Sequence, residues 1–424
     1  MTEHHATERA RGLATNAGGP PSRLEPAPIP LAEHDEVAPP AIELTTEMVT
    51  DVEGIDALGL DYECLYRLTG NTLPFALQDW HLAWCRHFLS RNPRVHDQPL
   101  FCVTRDGSGA CVGIVPLILT RRHLGPLKLG TLALVGGDPA LTEIRGPLIK
   151  AGYERRIVDA VYQCLGTIHD WHWIQWNGVS TALAKSMTGE IAPQWFETSE
   201  DFILDLPDSW EELRSGMKRN LRESLRHCYN SLRRDGHGFE FLVARTRAEV
   251  CEALARFFEL HARRANMSWG VRHPNRFAGR ALQEFLYDVC GSLAARDAVR
   301  VFQLRIGREI VAARVAFVVG DSMYLYYSGF DPAWARYSVM TTAMAEAIRY
   351  AIGTGLRTVN LSLTSEQSKL RWRPRLVEYH SGLLLHQQSL SSRLVYGAYR
   401  MVTSGRGAPA RMLKNVFRSR REWN

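Results

Sequence analysis

Apolar and polar positions along this chain change period in an order that occurs twice. Val299 to Arg305 alternates, Gly307 offers a turn, Glu309 to Val319 resumes the alternation, and Gly320-Asp321 turns the chain again before Ser322 to Ser328. Three strands in a meander follow from this pattern. After "FDPAWARY", the stretch "SVMTTAMAEAIRYAIGTG" spaces Met340, Met344, Ile348, Ala351 and Ile352 three or four apart, which predicts a helix stopped at Gly353 or Gly355. "LRTVNLS" then reads as a fourth strand. A helix between two strands of one sheet favours a right-handed crossover, so the fourth strand should lie parallel to the third and leave a cleft at their carboxyl ends.

Residues 99–178 repeat this order: strand, Gly-rich turn and strand in "PLFCVTRDGSGACVGIVPLILT", a third strand in "GPLKLGTLALVGG", a helix in "YERRIVDAVYQCLGTI" and a fourth strand in "DWHWIQWNGV". Equal order with little residue identity predicts two copies of one supersecondary unit. Ahead of the first copy, "FALQDWHLAWCRHFL" places Phe75, Trp80, Trp84 and Phe88 on a broad apolar helix face. Between the copies, Ser209-x-x-Glu212 opens one long predicted helix through Arg234, apolar at Leu213, Met217, Leu221, Leu225, Cys228 and Leu232 and basic on its outer face. A further helix, "VCEALARFFELHARRANMSW", brings Phe257, Phe258 and His261 to one side. The expected boundaries are a disordered Pro-rich leader over 1–40, a first domain over 41–200, a second over 201–390 and a tail over 391–424.

Four segments carry a family resemblance: "YYSGFDP" (Tyr326 to Pro332), Tyr337-Ser338 opening the predicted helix, the short strand after "GTGLRTV", and "SKLRWRPR" (Ser368 to Arg375). Over residues 70–385 the chain resembles the cellulose-biosynthesis (CelD/BcsL-like) acetyltransferases, which belong to the GNAT superfamily and are related to the FemAB aminoacyltransferases. The resemblance implies an α/β (α+β) fold of tandem GNAT-like domains, each a mixed twisted sheet with flanking helices. It also implies acetyl-CoA as acyl donor and N- or O-acetylation of a cell-envelope or exopolysaccharide-related precursor. Ser338, Val339, Met340 and Thr341 would bind the cofactor's pyrophosphate at the helix start. Lys369, Arg371 and Trp372 would bind substrate. His261 would act as general base and Tyr327 as donor to the leaving thiolate.

The chain departs from the family at Val339-Met340, where Pro-Gly is usual, and at Asn360, where an Asp is usual and where an amide cannot serve as a base. These departures keep a non-catalytic binding protein with a degenerate cleft open, beside Fem-like aminoacyl transfer from charged tRNA.

Composition narrows the field. With 45% hydrophobic and 23% charged residues the chain reads as a soluble globular protein too long for one core. No apolar run is long enough to span a membrane and no signal peptide opens the chain, so a cytoplasmic location is expected. The net charge of +6 is uneven: residues 391–424 carry +7 and residues 1–40 carry −3, leaving a nearly neutral body that argues against nucleic acid as partner. Arg interleaved with Leu, Met, Val, Phe and Trp in the tail suggests peripheral contact with an anionic membrane. The eight cysteines stand singly, without metal-ligand spacing, so no metal is expected. No G-x-S-x-G elbow appears.

Overall fold

A computed structural model describes residues 43–124, 127–137, 141–269, 273–363, 367–386, 392–394 and 396–397. The leader and almost all of the basic tail lie outside the described residues. The described residues from Glu43 onward belong to one compact unit. Its first half runs β1 (Leu44–Val49), α1 (Val52–Ala57), α2 (Gly59–Leu68), α3 (Gln78–Phe88), β2 (Val95–Asp106), β3 (Cys111–Leu124), β4 (Leu127–Leu134), β5 (Leu148–Ile149), α4 (Glu154–Leu165), β6 (Trp173–Ser180), α5 (Thr181–Ser186) and β7 (Gln194–Asp205). The second half runs α6 (Trp210–Gly216), α7 (Arg219–Arg234), β8 (Phe239–Ala244), α8 (Arg247–Ala265), α9 (Arg280–Ala295), β9 (Val299–Ile306), β10 (Glu309–Val319), β11 (Ser322–Phe330), α10 (Val339–Gly353), β12 (Thr358–Leu363), α11 (Gln367–Leu370) and β13 (Arg375–Leu385).

The two meanders and both crossovers form as the periodicity predicts. β2, β3 and β4 pair antiparallel and β6 returns parallel to β4 after α4; β9, β10 and β11 do the same, with β12 parallel to β11 after α10. The strands join into one sheet in the order β1-β2-β3-β4-β6-β13-β7-β12-β11-β10-β9-β8, with β5 on β3. The middle of that order is an exchange: β7 leaves the first half to pair with β12, β13 leaves the second half to pair with β6, and β7 and β13 pair antiparallel with each other. Glu200, where the composition shifts, lies within β7. The helix expected from Ser209 through Arg234 is two helices. Met217 and Lys218 are extended between α6 and α7, and the Met217 side chain is buried against the core.

Period-two alternation on the strands feeds cores on both faces of the sheet. In β10, Ala313, Val315 and Phe317 pack with Trp80 of α3, Phe257 of α8 and Phe285 of α9, while Ala316 packs with Leu221, Leu225 and Ile348 of α7 and α10. In β2, Phe101 and Val103 join the first group and Leu100 and Cys102 meet Ile157, Val158 and Val161 of α4. Trp80 is fully buried, edge-on to Phe75, Phe285, Phe317 and Tyr326, so it ties the first half to the second.

Candidate functional site

β11 and β12 pair over only three positions, Ser322 with Thr358, Met323 with Val359 and Tyr324 with Asn360. Beyond them the strands part for two local reasons. On one side, the β10–β11 register shifts between Arg314 and Ala316, where Tyr326 and Tyr327 form a bulge. On the other, the β12–β7 register shifts between Asn360 and Leu363, where Ser362 takes a left-handed conformation with φ 68°. Bulges of this kind re-aim side chains at sheet positions next to active sites.

The gap is filled by a segment of the first half. Tyr326 donates its hydroxyl to Leu141 O at 2.6 Å, and Trp80 Nε1 donates to Thr142 Oγ1 at 3.0 Å. Glu143 Oε2 accepts the Tyr324 hydroxyl at 2.5 Å and the Ser362 hydroxyl at 2.6 Å. Burial pushes the Glu143 carboxyl above its ordinary pKa, against the stabilising hydroxyls of Ser362 and Tyr324 and the charge of Lys369. Deeper in the seam, Asn360 Nδ2 donates to Asp201 Oδ2 at 2.6 Å, and Asn360 Oδ1 accepts the Ser362 amide at 2.7 Å. Asp201 is fully buried with its Oδ1 unpartnered. Burial, with the Glu143 charge adding to it, raises its pKa to about 6.

Glu143 opens into a cavity of about 460 Å³ at the parted strand ends. Of the nine residues singled out in the sequence, His261, Tyr327, Met340, Thr341, Lys369 and Arg371 line it together; Ser338, Val339 and Trp372 do not. Trp372 is buried beside α6, α7 and α10. Val339 is buried too, so its side chain points away from the cavity, whereas Met340 occupies the wall. Ser338 caps α10 in the left-handed conformation, φ 52°, and its carbonyl accepts the Thr341 amide at 2.8 Å. The Thr342 amide bonds to the same carbonyl at 3.3 Å, at the helix's positive end. Arg371 stands beside them: Nη2 donates to Thr341 Oγ1 at 3.2 Å and Nη1 to Ser224 Oγ at 3.3 Å. Its Nε is buried without a partner, and burial works against its charge. A half-buried guanidinium held by hydroxyls at a helix N-terminus has the chemistry of an anion site.

His261 sits at the opposite wall. Its Nδ1–H donates to Ser328 O at 2.9 Å and its Nε2 accepts the Arg276 amide at 3.3 Å, so the neutral ring is held by backbone at both nitrogens. Burial lowers its pKa below the ordinary imidazole value, which weakens the general base expected there. Tyr327 packs edge-on against His261 and Phe277. Lys369 Nζ donates to the carbonyls of Ser362 and Leu363. Glu143, Asp201, Tyr324 and Ser362 escaped sequence reasoning. Among the described residues no group of three or more His, Cys, Asp or Glu could hold a metal, and no helix is long and apolar enough to cross a membrane. A second cavity, about 540 Å³, lies between α2 and the β10–β11 turn, where Arg67 pairs with Glu63 and Arg296 with Asp79.

Residues 219–370, which span α7 through α11, match the family described as acetyltransferase (GNAT) domain. This segment is thus similar to the acetyltransferase domains of the GNAT type. No curated protein matches the chain. Among solved structures, FemX superposes with a TM-score of 0.52 at 10% identity, covering 79% of this chain and 96% of FemX. Lower TM-scores belong to L-PGS from Bacillus licheniformis, 0.42 at 11% identity over 79% of this chain and 94% of that one, and to a tandem GNAT protein from the clavulanic acid biosynthesis pathway, 0.40 at 12% identity over 81% and 100%. At such identity the FemX likeness is one of fold. The two halves join in one large mixed sheet with flanking helices, a tandem GNAT-like fold.

Proposed function

We propose that this cavity transfers an acyl group from a CoA thioester to an amine or hydroxyl, with Glu143 as general base. The observation that carries the reading is a part-buried carboxylate of raised pKa, fixed by Tyr324 and Ser362 at the point where β11 and β12 part. A group so tuned is deprotonated above its shifted pKa and basic enough to accept a proton from an attacking nucleophile. We place this role on Glu143 and not on His261, because both imidazole nitrogens are engaged by backbone. The residues at the start of α10 that fit an acyl-CoA diphosphate are the Thr341 hydroxyl and the Arg371 guanidinium, which line the cavity at the helix's positive end. The donor supplies an acyl carbon and a thiolate leaving group. The acceptor's proton goes to Glu143, and Tyr327 is the donor nearest in kind for the departing sulfur.

Acetyl as the acyl group, and a CelD/BcsL-like acceptor from envelope or exopolysaccharide synthesis, are the finer form of the proposal and rest on the sequence resemblance. Titration of the full chain with CoA and acetyl-CoA, followed by thiol release across a panel of amines, tests it. Absence of binding to either ligand sinks the donor assignment.

A second reading, aminoacyl transfer from tRNA, is favoured by one observation: Arg219, Arg222, Arg226, Arg233 and Arg234 all stand exposed on α7. Salt-dependent tRNA binding lost on reversing Arg226 and Arg233 would favour it over the CoA reading.

A further inference from the structure

Asp201 sits in β7 between β12 and β13, opposite Leu363 and Val377, with no exposed surface. A carboxylate in the middle of a sheet loses its hydration, and an aliphatic side chain would fill this place at less cost to the fold. What the carboxylate supplies is an acceptor for Asn360 Nδ2 at 2.6 Å. That bond decides which way the Asn360 amide faces. Turned over, the side chain would set its Oδ1 against the carboxylate and its NH₂ against the Ser362 amide. In the orientation seen, Oδ1 accepts the Ser362 N–H at 2.7 Å, two residues on, which closes a turn on the Asn side chain.

The consequence reaches Ser362, which holds a left-handed conformation at the register shift between β12 and β7. A serine disfavours that conformation by itself, and the bond from Asn360 supports it. From this turn the Ser362 hydroxyl reaches Glu143 Oε2 at 2.6 Å. Against the burial that raises its pKa, Glu143 is held toward its charged form by Ser362 first, and by Tyr324, Lys369 and the Leu363 amide after it. Three bonds therefore run in series from Asp201 through Asn360 and Ser362 to Glu143. On the reading that Glu143 is the base, we propose that Asp201 is its positioning residue: by fixing the Asn360 amide it holds the Ser362 turn, and the turn aims the hydroxyl that orients the Glu143 carboxylate.

Asp201→Asn and Asp201→Ala test this, because both remove the charge and only the first keeps an acceptor for Asn360. The full chain is labelled with carbon-13 at its glutamate carboxyls, and the Glu143 signal is the one missing from Glu143→Gln. Glu143 should titrate higher in Asp201→Ala than in Asp201→Asn, since it loses the donors that the Ser362 turn supplies. Lys369 and the arginines of the cavity wall are the same in both variants, so the difference reads the Asn360 link alone. Thiol release from acetyl-CoA, with whichever amine of the panel reacts, should be about tenfold or more slower in Asp201→Ala than in Asp201→Asn, at equal CoA affinity. If Asp201→Ala fails to fold, the wild-type chain decides: the nitrogen-15 signal of the Asn360 side chain should move with pH as Asp201 titrates at about 6, and lose that movement in Asp201→Asn. Equal Glu143 titration in the two folded variants overturns the proposal, as does an Asn360 signal that ignores pH in the wild type. Equal turnover with unequal titration upholds the positioning and sinks Glu143 as the base.

Discussion

Asn360 donates its side-chain amide to Asp201 at 2.6 Å, across the junction where β7 of the first half lies beside β12 of the second. The acetyltransferases that the sequence resembles carry an Asp on this strand. Here the amide takes that place, and a carboxylate is delivered next to it from another strand. Ser362 then links the pair to Glu143, since its amide bonds Asn360 and its hydroxyl bonds Glu143. Strand exchange thus gathers two acids that lie far apart in sequence, only one of which reaches the cavity.

Glu143→Gln keeps the shape of the side chain and its bonds to Tyr324 and Ser362 but removes the basic form. Turnover should fall by about 10²–10⁴-fold with CoA affinity unchanged. In the wild-type enzyme, activity should be lost as pH falls through a pKa above the ordinary carboxylate range, because burial favours the protonated acid. A pH–rate profile with that limb, absent from the residual activity of the variant, is the expected result. Full turnover by Glu143→Gln would return the search to other groups.

Asp201 makes a separate prediction about stability. Its pKa rises from 3.8 to about 6 on folding, so the folded state favours the protonated form. Its stabilising contribution is complete below the unfolded value and is lost as pH rises through about 6. The loss is on the order of 3 kcal/mol for a shift of this size. Asp201→Asn cannot ionise and can still accept from Asn360. Urea unfolding at pH 4 and pH 8 should therefore show the wild type losing stability relative to the variant at the higher pH. Parallel pH dependence in the two proteins would mean that Asp201 is charged in the fold.

Thr341→Glu sets a carboxylate in the first turn of α10 beside Arg371. An acid at that end of a helix is favourable to the helix, so folding should hold. CoA binding should weaken at least about tenfold, because the new charge occupies the anion site. Unchanged CoA affinity by calorimetry would move the diphosphate elsewhere.

The meanders, both crossovers and the cleft were legible because they rest on local periodicity and on the handedness of crossovers. Six cavity residues were legible through short motifs on the elements that bound it, such as Met340 and Thr341 on α10 and Lys369 and Arg371 on α11 and just beyond it. The exchange of β7 and β13 was not, since it depends on pairing between segments far apart in sequence, such as Tyr379 with Ser180 and Thr358 with Asp205, and neither strand's apolar pattern names its partner. Glu143 was hidden for the same reason. It is one acid in a loop, and only the Trp80–Thr142 and Tyr326–Leu141 bonds bring it to the second half. Val339 and Met340 look equivalent in sequence, but the helix turns one into the core and the other toward the cavity.

Gly329 governs how α8 meets β11, and so where His261 stands. A β-carbon at this position would lie 2.3 Å from His261 N and 2.5 Å from Leu260 C, which are backbone atoms that cannot rotate aside. Gly329→Ala must push the helix off the strand and stretch the bond from His261 to Ser328 O. Overpacking against backbone costs about 3 kcal/mol or more where the neighbour cannot yield. Gly353, at the last turn of α10, has open space where its β-carbon would go. Gly353→Ala should therefore be neutral or stabilising by up to about 1 kcal/mol, through reduced freedom of the unfolded chain. Urea unfolding of both variants separates the effects of contact and of chain entropy. If Gly329→Ala proves as stable as Gly353→Ala, α8 does not rest on β11 at this glycine, and the wall of the cavity that carries His261 and Arg264 is displaced from the position described.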